Sequence, residues 1–394
     1  MGNYFFLQVF TVIFALSIAT TIFNKRILGF PQAIGVPIVS AIFVFILQWG
    51  ASLLSGNQFI TINIHNIEEA VRHIDFYDFL INGVICFILT SSALKFKVSD
   101  LRSYWKPISI LASIALVLCA VFFGVVLYGY QFIIGQHVDL LVLLLLGAAL
   151  GATDPIGIKG VLSSVRAPHH LMVKLEGESL FNDAMCIALF MTLLNVLQGE
   201  NFTVMGVLQT LLYEIFVAVI IGWAFGLGIL RLLRGKHEME SLILTTALLA
   251  CGSYLVALFA HASAPIACVI GGLIVGNKWK EILQEREIRE VNHFWHTVEG
   301  IINSFLFTLI GLELFILDLS FSLIFGGIIA FIILHASRFA ANYLSFAFFP
   351  SFRKKSYNGS LAILSWGGVR GGISLALILA VANVPELSEY SSIL

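Results

Sequence analysis

The chain has 394 residues, of which 59% are hydrophobic and only 11% are charged, and its mean hydropathy is +0.96. Soluble domains carry about 25% charged residues, so this composition excludes a soluble protein and predicts an all-α, polytopic membrane protein. The formal net charge of −1 gives no reason to expect a nucleic-acid partner.

Twelve apolar runs are long enough to cross a membrane as helices, which takes about 20 residues each. In chain order, these predicted spans cover residues 4–23, 32–54, 76–95, 107–129, 138–164, 171–197, 204–231, 240–260, 262–277, 294–316, 319–349 and 357–383. The first run lacks the basic start of a cleavable signal peptide, so we expect a membrane helix there. Proline or glycine interrupts spans 5 and 12. The five cysteines all lie in apolar segments and are expected to be small buried side chains.

Lysine and arginine predict the orientation, because short cytoplasmic loops of membrane proteins are enriched in both residues. Most of the 22 basic residues lie in loops that follow odd-numbered spans, including Lys95 after span 3 and Lys174 between spans 5 and 6. We therefore expect these loops in the cytoplasm, the N-terminus outside, and a location in a prokaryotic inner membrane. Span 12 would then end outside, and we expect a further apolar span of about 20 residues beyond Leu394.

The interruption of span 5 places polar residues deep in apolar sequence. The stretch "GATDPIGIKG" follows an apolar run and contains Thr153, Asp154 and Pro155. A carboxylate at the centre of a membrane helix costs about 2.5–3.5 kcal/mol, and a proline removes one backbone hydrogen bond. Non-helical backbone at membrane depth is tolerated where it lines a cavity. We therefore expect an unwound segment whose freed carbonyls act as ligands.

Span 6 carries a second polar group in the stretch "KLEGESLFNDAMCIALF". Glu178 and Asn182 are four residues apart, as are Ser179 and Asp183, so each pair is adjacent on the helix surface. Glu178 and Asp183 lie about 140° apart around the helix and can flank one cavity. An unbroken apolar run follows Asp183, so we expect this acid to be embedded in the membrane.

Span 12 contains "SWGGVRGGISLAL", in which four glycines surround Arg370. Spans 5 and 12 are seven steps apart, so they run in opposite directions. Two interrupted helices in inverted positions indicate a transporter with a binding site near the membrane midplane.

Structural interpretations of the polar residues remain open at this point. The two aspartates can be hydrogen-bonding groups, Asn182 can join helices, and Glu178 can form a neutral pair with Arg338 or Arg370. Lys159 can reach the cytoplasm or lie in the ion path.

The segments "GATDP", "EGESLFND" and "GGVRGGISLAL" resemble three signature segments of the monovalent cation/proton antiporter family. The match is to its electroneutral branch, which holds the prokaryotic NhaP-type antiporters and the animal sodium/proton exchangers. In that branch an Asn–Asp pair stands where the electrogenic branch has Asp–Asp, and here the pair is Asn182–Asp183. The resemblance extends from span 1 to span 12. Lys159 departs from it, because the family has an apolar or small residue there.

The resemblance implies that Asp183 binds the cation and the proton in turn. The transported cation would take its ligands from Asp183, Asp154, Ser179 and Thr153, with Glu178 completing the site. Asn182 would hold the unwound crossing by hydrogen bonds. One intramembrane arginine, with Arg338 preferred over Arg370, would pair with Glu178.

The implied function is exchange of a monovalent cation, Na⁺ in the first place, for H⁺ by alternating access, without a cofactor or enzymatic chemistry. One cation for one proton would make this exchange electroneutral. Exchange of K⁺ or Li⁺ and, in other classes, a cation channel or a non-transporting sensor are the alternatives. An intramembrane aspartyl protease, suggested by Tyr77–Asp78, lacks a partner GxGD segment.

The resemblance also implies an inverted-repeat antiporter fold and a homodimer in the lipid bilayer. Spans 1–3 (residues 1–95) would belong to the dimer domain and spans 4–6 (96–197) to the core domain. Residues 198–316 would form the linker and further dimer-domain spans, 7–10. Residues 317–394 would complete the core domain with spans 11 and 12.

Overall fold

The computed structural model describes residues 5–53, 81, 83–153, 168–199, 203–235, 238–313, 321–348, 358–368 and 370–382. Within these ranges the chain forms thirteen helices and no β-strand. They are α1 (Phe5–Phe23), α2 (Gln32–Leu53), α3 (Ile85–Lys95), α4 (Val98–Ile133), α5 (Leu140–Ala149), α6 (His169–Leu197), α7 (Val204–Leu232), α8 (Met239–Phe259), α9 (Ala264–Lys278), α10 (Glu285–Glu313), α11 (Phe321–Phe348), α12 (Asn358–Trp366) and α13 (Gly372–Ala382).

Each predicted span has a helical counterpart, so the all-α, polytopic prediction is confirmed. Among the residues that the structure describes, six helical stretches are long and apolar enough to cross a membrane: Thr11–Leu28, Val98–Ile133, His169–Leu197, Met205–Leu232, Met239–Phe259 and Ile324–Ala347. Span 12 is divided into α12 and α13, as its glycines predicted. The second half of span 5, including Asp154 and Lys159, lies outside the described residues, and so do residues 383–394. The expectation of a further span therefore stays a prediction.

Two helices begin earlier than hydropathy predicted. Helix α4 starts at Val98 rather than 107 and is kinked at Tyr104, where φ is −123° and ψ is 19°, and α10 starts at Glu285 rather than 294. The first turn of α4 contains Asp100, and that of α10 contains Glu285 and Glu287. Acidic side chains lower the local hydropathy, but they stabilise the first turn of a helix through its dipole. A search for apolar runs therefore misses these starts.

Helix α9 packs closely against α3 because it presents glycine to it. A Cβ atom on Gly272 would lie 2.7 Å from the Cβ of Ala93, and one on Gly276 would lie 2.1 Å from the carbonyl oxygen of Leu94. The two glycines are four residues apart, which is the spacing that lets membrane helices approach closely. Helix α9 also packs against α7 and α8.

The helix contacts fall mainly into two groups. Helix α10 packs against α1, α2 and α3, while α4 packs against α5 and α11. Further contacts, between α9 and α6 and between α10 and α13, join helices that are assigned to different predicted domains. The predicted dimer and core domains remain a prediction, although the helices assigned to each one are neighbours.

Two smaller points concern burial. Lys174, which predicted span 6 includes, lies within α6, and only 1% of its surface is exposed, with its ammonium 5.6 Å from the ring centroid of Tyr104. Apolar parts of the side chain can be buried by packing, and the aromatic ring attracts the charge. Four of the cysteines are buried as expected, but Cys251 is exposed on α8, because apolar residues of a membrane helix also face outwards.

Candidate functional site

The site begins where α5 ends and the backbone leaves the helix. The residues after α5, up to Thr153, are not helical, so their carbonyl groups lack the usual partners within the helix. Asn182 of α6 donates its amide to the carbonyl oxygen of Gly151 at 2.9 Å and to Oγ1 of Thr153 at 3.0 Å. Ser179, three residues earlier on α6, donates its hydroxyl to the carbonyl oxygen of Thr153. Helix α6 therefore holds the unwound segment by side-chain hydrogen bonds.

The break between α12 and α13 meets the same segment. Arg370 donates from Nη1 to the carbonyl oxygens of Gly151 at 3.2 Å and Ala152 at 3.3 Å. Ser374, in the first turn of α13, donates to the carbonyl oxygen of Ala152 at 3.1 Å. An unsatisfied backbone group in a membrane costs several kcal/mol. The two interruptions thus stabilise each other, since one supplies donors for the acceptors that the other frees.

Asp183 borders a cavity of about 500 Å³ together with Ser179 and Thr153. On this side the cavity is also lined by Ala152, Glu176 and the first residues of α13. Helices α3 and α10 form another part of the lining, with Ser92, Lys95, His296, Glu299 and Asn303, and Phe96, directly after α3, also lines the cavity. Carboxylate, hydroxyl and backbone carbonyl oxygens therefore lie together at the cavity, and such oxygens suit a hard cation.

Glu178 takes part in a buried ion pair with Arg338 of α11. Nη2 of Arg338 lies 2.7 Å from Oε1 of Glu178, and the side chains are 7% and 3% exposed. Arg338 also donates to the carbonyl oxygen of Leu364 at 3.3 Å. A Cβ atom on Gly368 would lie 2.4 Å from Cζ of Arg338. Of the two arginines considered from the sequence, Arg338 contacts Glu178, whereas Arg370 binds the unwound segment.

The structure therefore brings together Thr153, Ser179, Asn182 and Asp183, and it sets the Glu178–Arg338 pair beside them on α6. Asp154 lies outside the described residues. The sequence did not predict the part of the cavity that α3 and α10 line, where Lys95 pairs with Glu299 at 2.5 Å. One signal was present, because Glu299 is an acid inside predicted span 10, like Asp183 inside span 6.

The chain is similar to known proteins over most of its length. Residues 13–391 match the model of a family described as "Sodium/hydrogen exchanger, transmembrane". The chain is 34% identical over 380 residues to the Na(+)/H(+) antiporter NhaP of Pseudomonas aeruginosa, covering 94% of this chain and 88% of that protein. It is 29% identical over 330 residues to the Na(+)/H(+) antiporter NhaH of Halobacillus dabanensis, covering 80% and 78%.

A solved structure shares the fold. The sodium proton antiporter MjNhaP1 from Methanocaldococcus jannaschii superposes with a TM-score of 0.74 at 17% identity, covering 99% of this chain and 92% of that one. This likeness confirms the predicted antiporter fold. Since the family model spans nearly all of the sequence, the chain belongs to the sodium/hydrogen exchanger family.

Proposed function

We propose that this protein exchanges Na⁺ for H⁺ across a membrane and that Asp183 is the carboxylate through which both ions pass. The observation that carries this proposal is the position of Asp183 on the cavity beside Ser179 and Thr153. The names of the relatives from Pseudomonas aeruginosa and Halobacillus dabanensis, both Na(+)/H(+) antiporters, support the choice of ions.

The chemistry follows from competition for one carboxylate. A cation that has lost its water needs several oxygen ligands, and we assign these to Asp183, Ser179, Thr153 and Asp154. A proton on Asp183 neutralises the carboxylate, so the charge that holds the cation disappears. Binding of one ion therefore displaces the other. Exchange follows if only the occupied site moves between the two sides.

The division of the cavity supports alternating access. The lining comes mainly from two groups of elements: the unwound segment, α6 and α13 are the first group, and α3 and α10 are the second. Movement of the first group against the second would close the cavity on one side of the membrane and open it on the other. Lys95 lines the cavity at the end of α3, next to the loop that is predicted to be cytoplasmic. We therefore propose that the cavity opens to the cytoplasm and that the membrane is a prokaryotic inner membrane.

The charges at the site favour one-to-one, electroneutral exchange. Asn182 contributes an amide without charge, and Glu178 is neutralised by Arg338. Of the pair Asn182–Asp183, only Asp183 then carries a charge, and it takes one unit of charge in either direction. We also propose that the protein forms a homodimer and that its helices divide into a dimer domain and a core domain.

The test is cation-driven proton movement in everted vesicles, with Na⁺, Li⁺, K⁺ and choline added in turn. Asp183→Asn should abolish the response, because the amide cannot release a proton or neutralise the cation. Asp139→Asn is the matched control, since Asp139 is exposed and only caps α5 through the backbone N–H of Leu141 at 2.8 Å. Exchange at the wild-type rate in Asp183→Asn would refute the proposal. Na⁺ flux without proton counterflow would favour a channel, and a response to K⁺ alone would favour K⁺/H⁺ exchange.

A further inference from the structure

The part of the cavity lining that α3 and α10 form carries an ion pair that the exchange mechanism does not use. Nζ of Lys95, at the end of α3, lies 2.5 Å from Oε2 of Glu299 on α10. Ser91 donates its hydroxyl to the same carboxylate oxygen at 2.9 Å. The side chains of Lys95 and Glu299 are 31% and 16% exposed, and both line the cavity. The pair therefore has a fixed position and is accessible from the cavity.

The charges around the cavity make this pair important. The described residues that line it include three carboxylates, those of Glu176, Asp183 and Glu299, and one imidazole, that of His296. Lys95 is the one lysine or arginine among these lining residues. Its ammonium contacts the Glu299 carboxylate where a free monovalent cation could otherwise sit. Lys95 thus masks one of the negative charges that would attract a cation.

We propose that the Lys95–Glu299 pair sets the affinity with which the cavity takes up its cation, with Lys95 acting as a tethered competitor at Glu299. The inference rests on the proposed exchange function. Both charged groups line the cavity, so they can act directly on the electrostatics of cation uptake. Ser91 keeps the Glu299 carboxylate oriented for this role.

The two single substitutions have opposite expected signs. Glu299→Gln leaves the charge of Lys95 uncompensated, so it repels the incoming cation and raises the KM for Na⁺. Lys95→Gln leaves the carboxylate unmasked and lowers the KM. A sphere of the cavity volume is about 10 Å across, and one charge at that distance changes cation binding by about twofold to tenfold, depending on the local dielectric and on salt.

The experiment is a Na⁺ titration of proton flux in proteoliposomes that contain the full chain. The double variant Lys95→Gln/Glu299→Gln should return the KM to within about twofold of wild type, because the net charge of the cavity is restored. Lys95→Arg keeps the charge and should keep the wild-type KM. Glu290→Gln is the matched control, because Glu290 lies on the same helix and pairs at 2.8 Å with Arg286, outside the cavity.

Ionic strength separates an electrostatic role from a structural one. Added choline chloride should shrink the opposite KM shifts of the two single variants, because salt screens charges at the exposed end of the cavity. A fall in maximal rate in both variants, with KM shifts of the same sign or none, would overturn the inference while wild-type exchange stood. Absence of Na⁺-driven proton flux in the wild type would instead refute the exchange function itself.

Discussion

The buried pair between Glu178 and Arg338 allows a quantitative prediction for Glu178→Gln. Glutamine keeps the length of the side chain but removes its charge. The guanidinium of Arg338, whose side chain is only 7% exposed, would lose the carboxylate that now lies 2.7 Å away. Removing one partner of a buried ion pair costs about 3–5 kcal/mol, because the other charge is left uncompensated. We expect Glu178→Gln to be destabilised by about this amount.

The assay is the apparent melting temperature of the detergent-solubilised protein. Glu290→Gln is again the control, since its partner Arg286 is 81% exposed and solvent-exposed pairs contribute little to stability. Replacing both partners, as in Glu178→Met/Arg338→Met, should recover part of the loss, because apolar side chains of similar volume can substitute for a buried pair. Equal melting temperatures for Glu178→Gln and Glu290→Gln would refute the reasoning.

Transport by the same variant separates the two roles considered for Glu178. If the pair serves structure, the folded fraction of Glu178→Gln should exchange ions at close to the wild-type rate per molecule. If the folded fraction is inactive although its melting temperature is unchanged, Glu178 acts as a ligand of the cation. The rate is normalised to the amount of monodisperse protein in each preparation.

Three further predictions concern the interrupted helices and the charge balance. Gly368→Ala should be destabilised by about 1–3 kcal/mol through overpacking, since its Cβ would lie 2.4 Å from Arg338, whereas Gly326→Ala, with no atom within 4 Å, should melt like wild type; equal melting of the two would contradict this. Asn182→Ala loses hydrogen bonds at 2.9 Å and 3.0 Å to the unwound segment and should be about 1–3 kcal/mol less stable and slower in exchange; wild-type values for both would count against it. Exchange should be independent of an imposed membrane potential in proteoliposomes, and a clear voltage dependence would show that net charge crosses the membrane in each cycle.

Local sequence patterns predicted most of the helices and, of the site, the polar residues of spans 5 and 6. Apolar runs identified the spans because a membrane helix must bury about 20 consecutive residues in hydrocarbon. The glycines around Arg370 predicted the division of span 12, and the acid inside span 6 singled out Asp183. Hydropathy did not predict the early starts of α4 and α10, because charged residues in their first turns lower the local hydropathy to that of a loop.

The sequence by itself determined that this protein is a membrane-spanning helical protein of the antiporter family, because composition, span length and short motifs are local properties. Only the tertiary structure decided which arginine contacts Glu178, since Arg338 is 160 residues away along the chain. It also decided that Arg370 supplies donors to the unwound segment and that Lys95 and Glu299, 204 residues apart, meet on the cavity. Such pairings depend on how helices pack against one another, and helix packing brings together residues whose separation along the chain carries no signal.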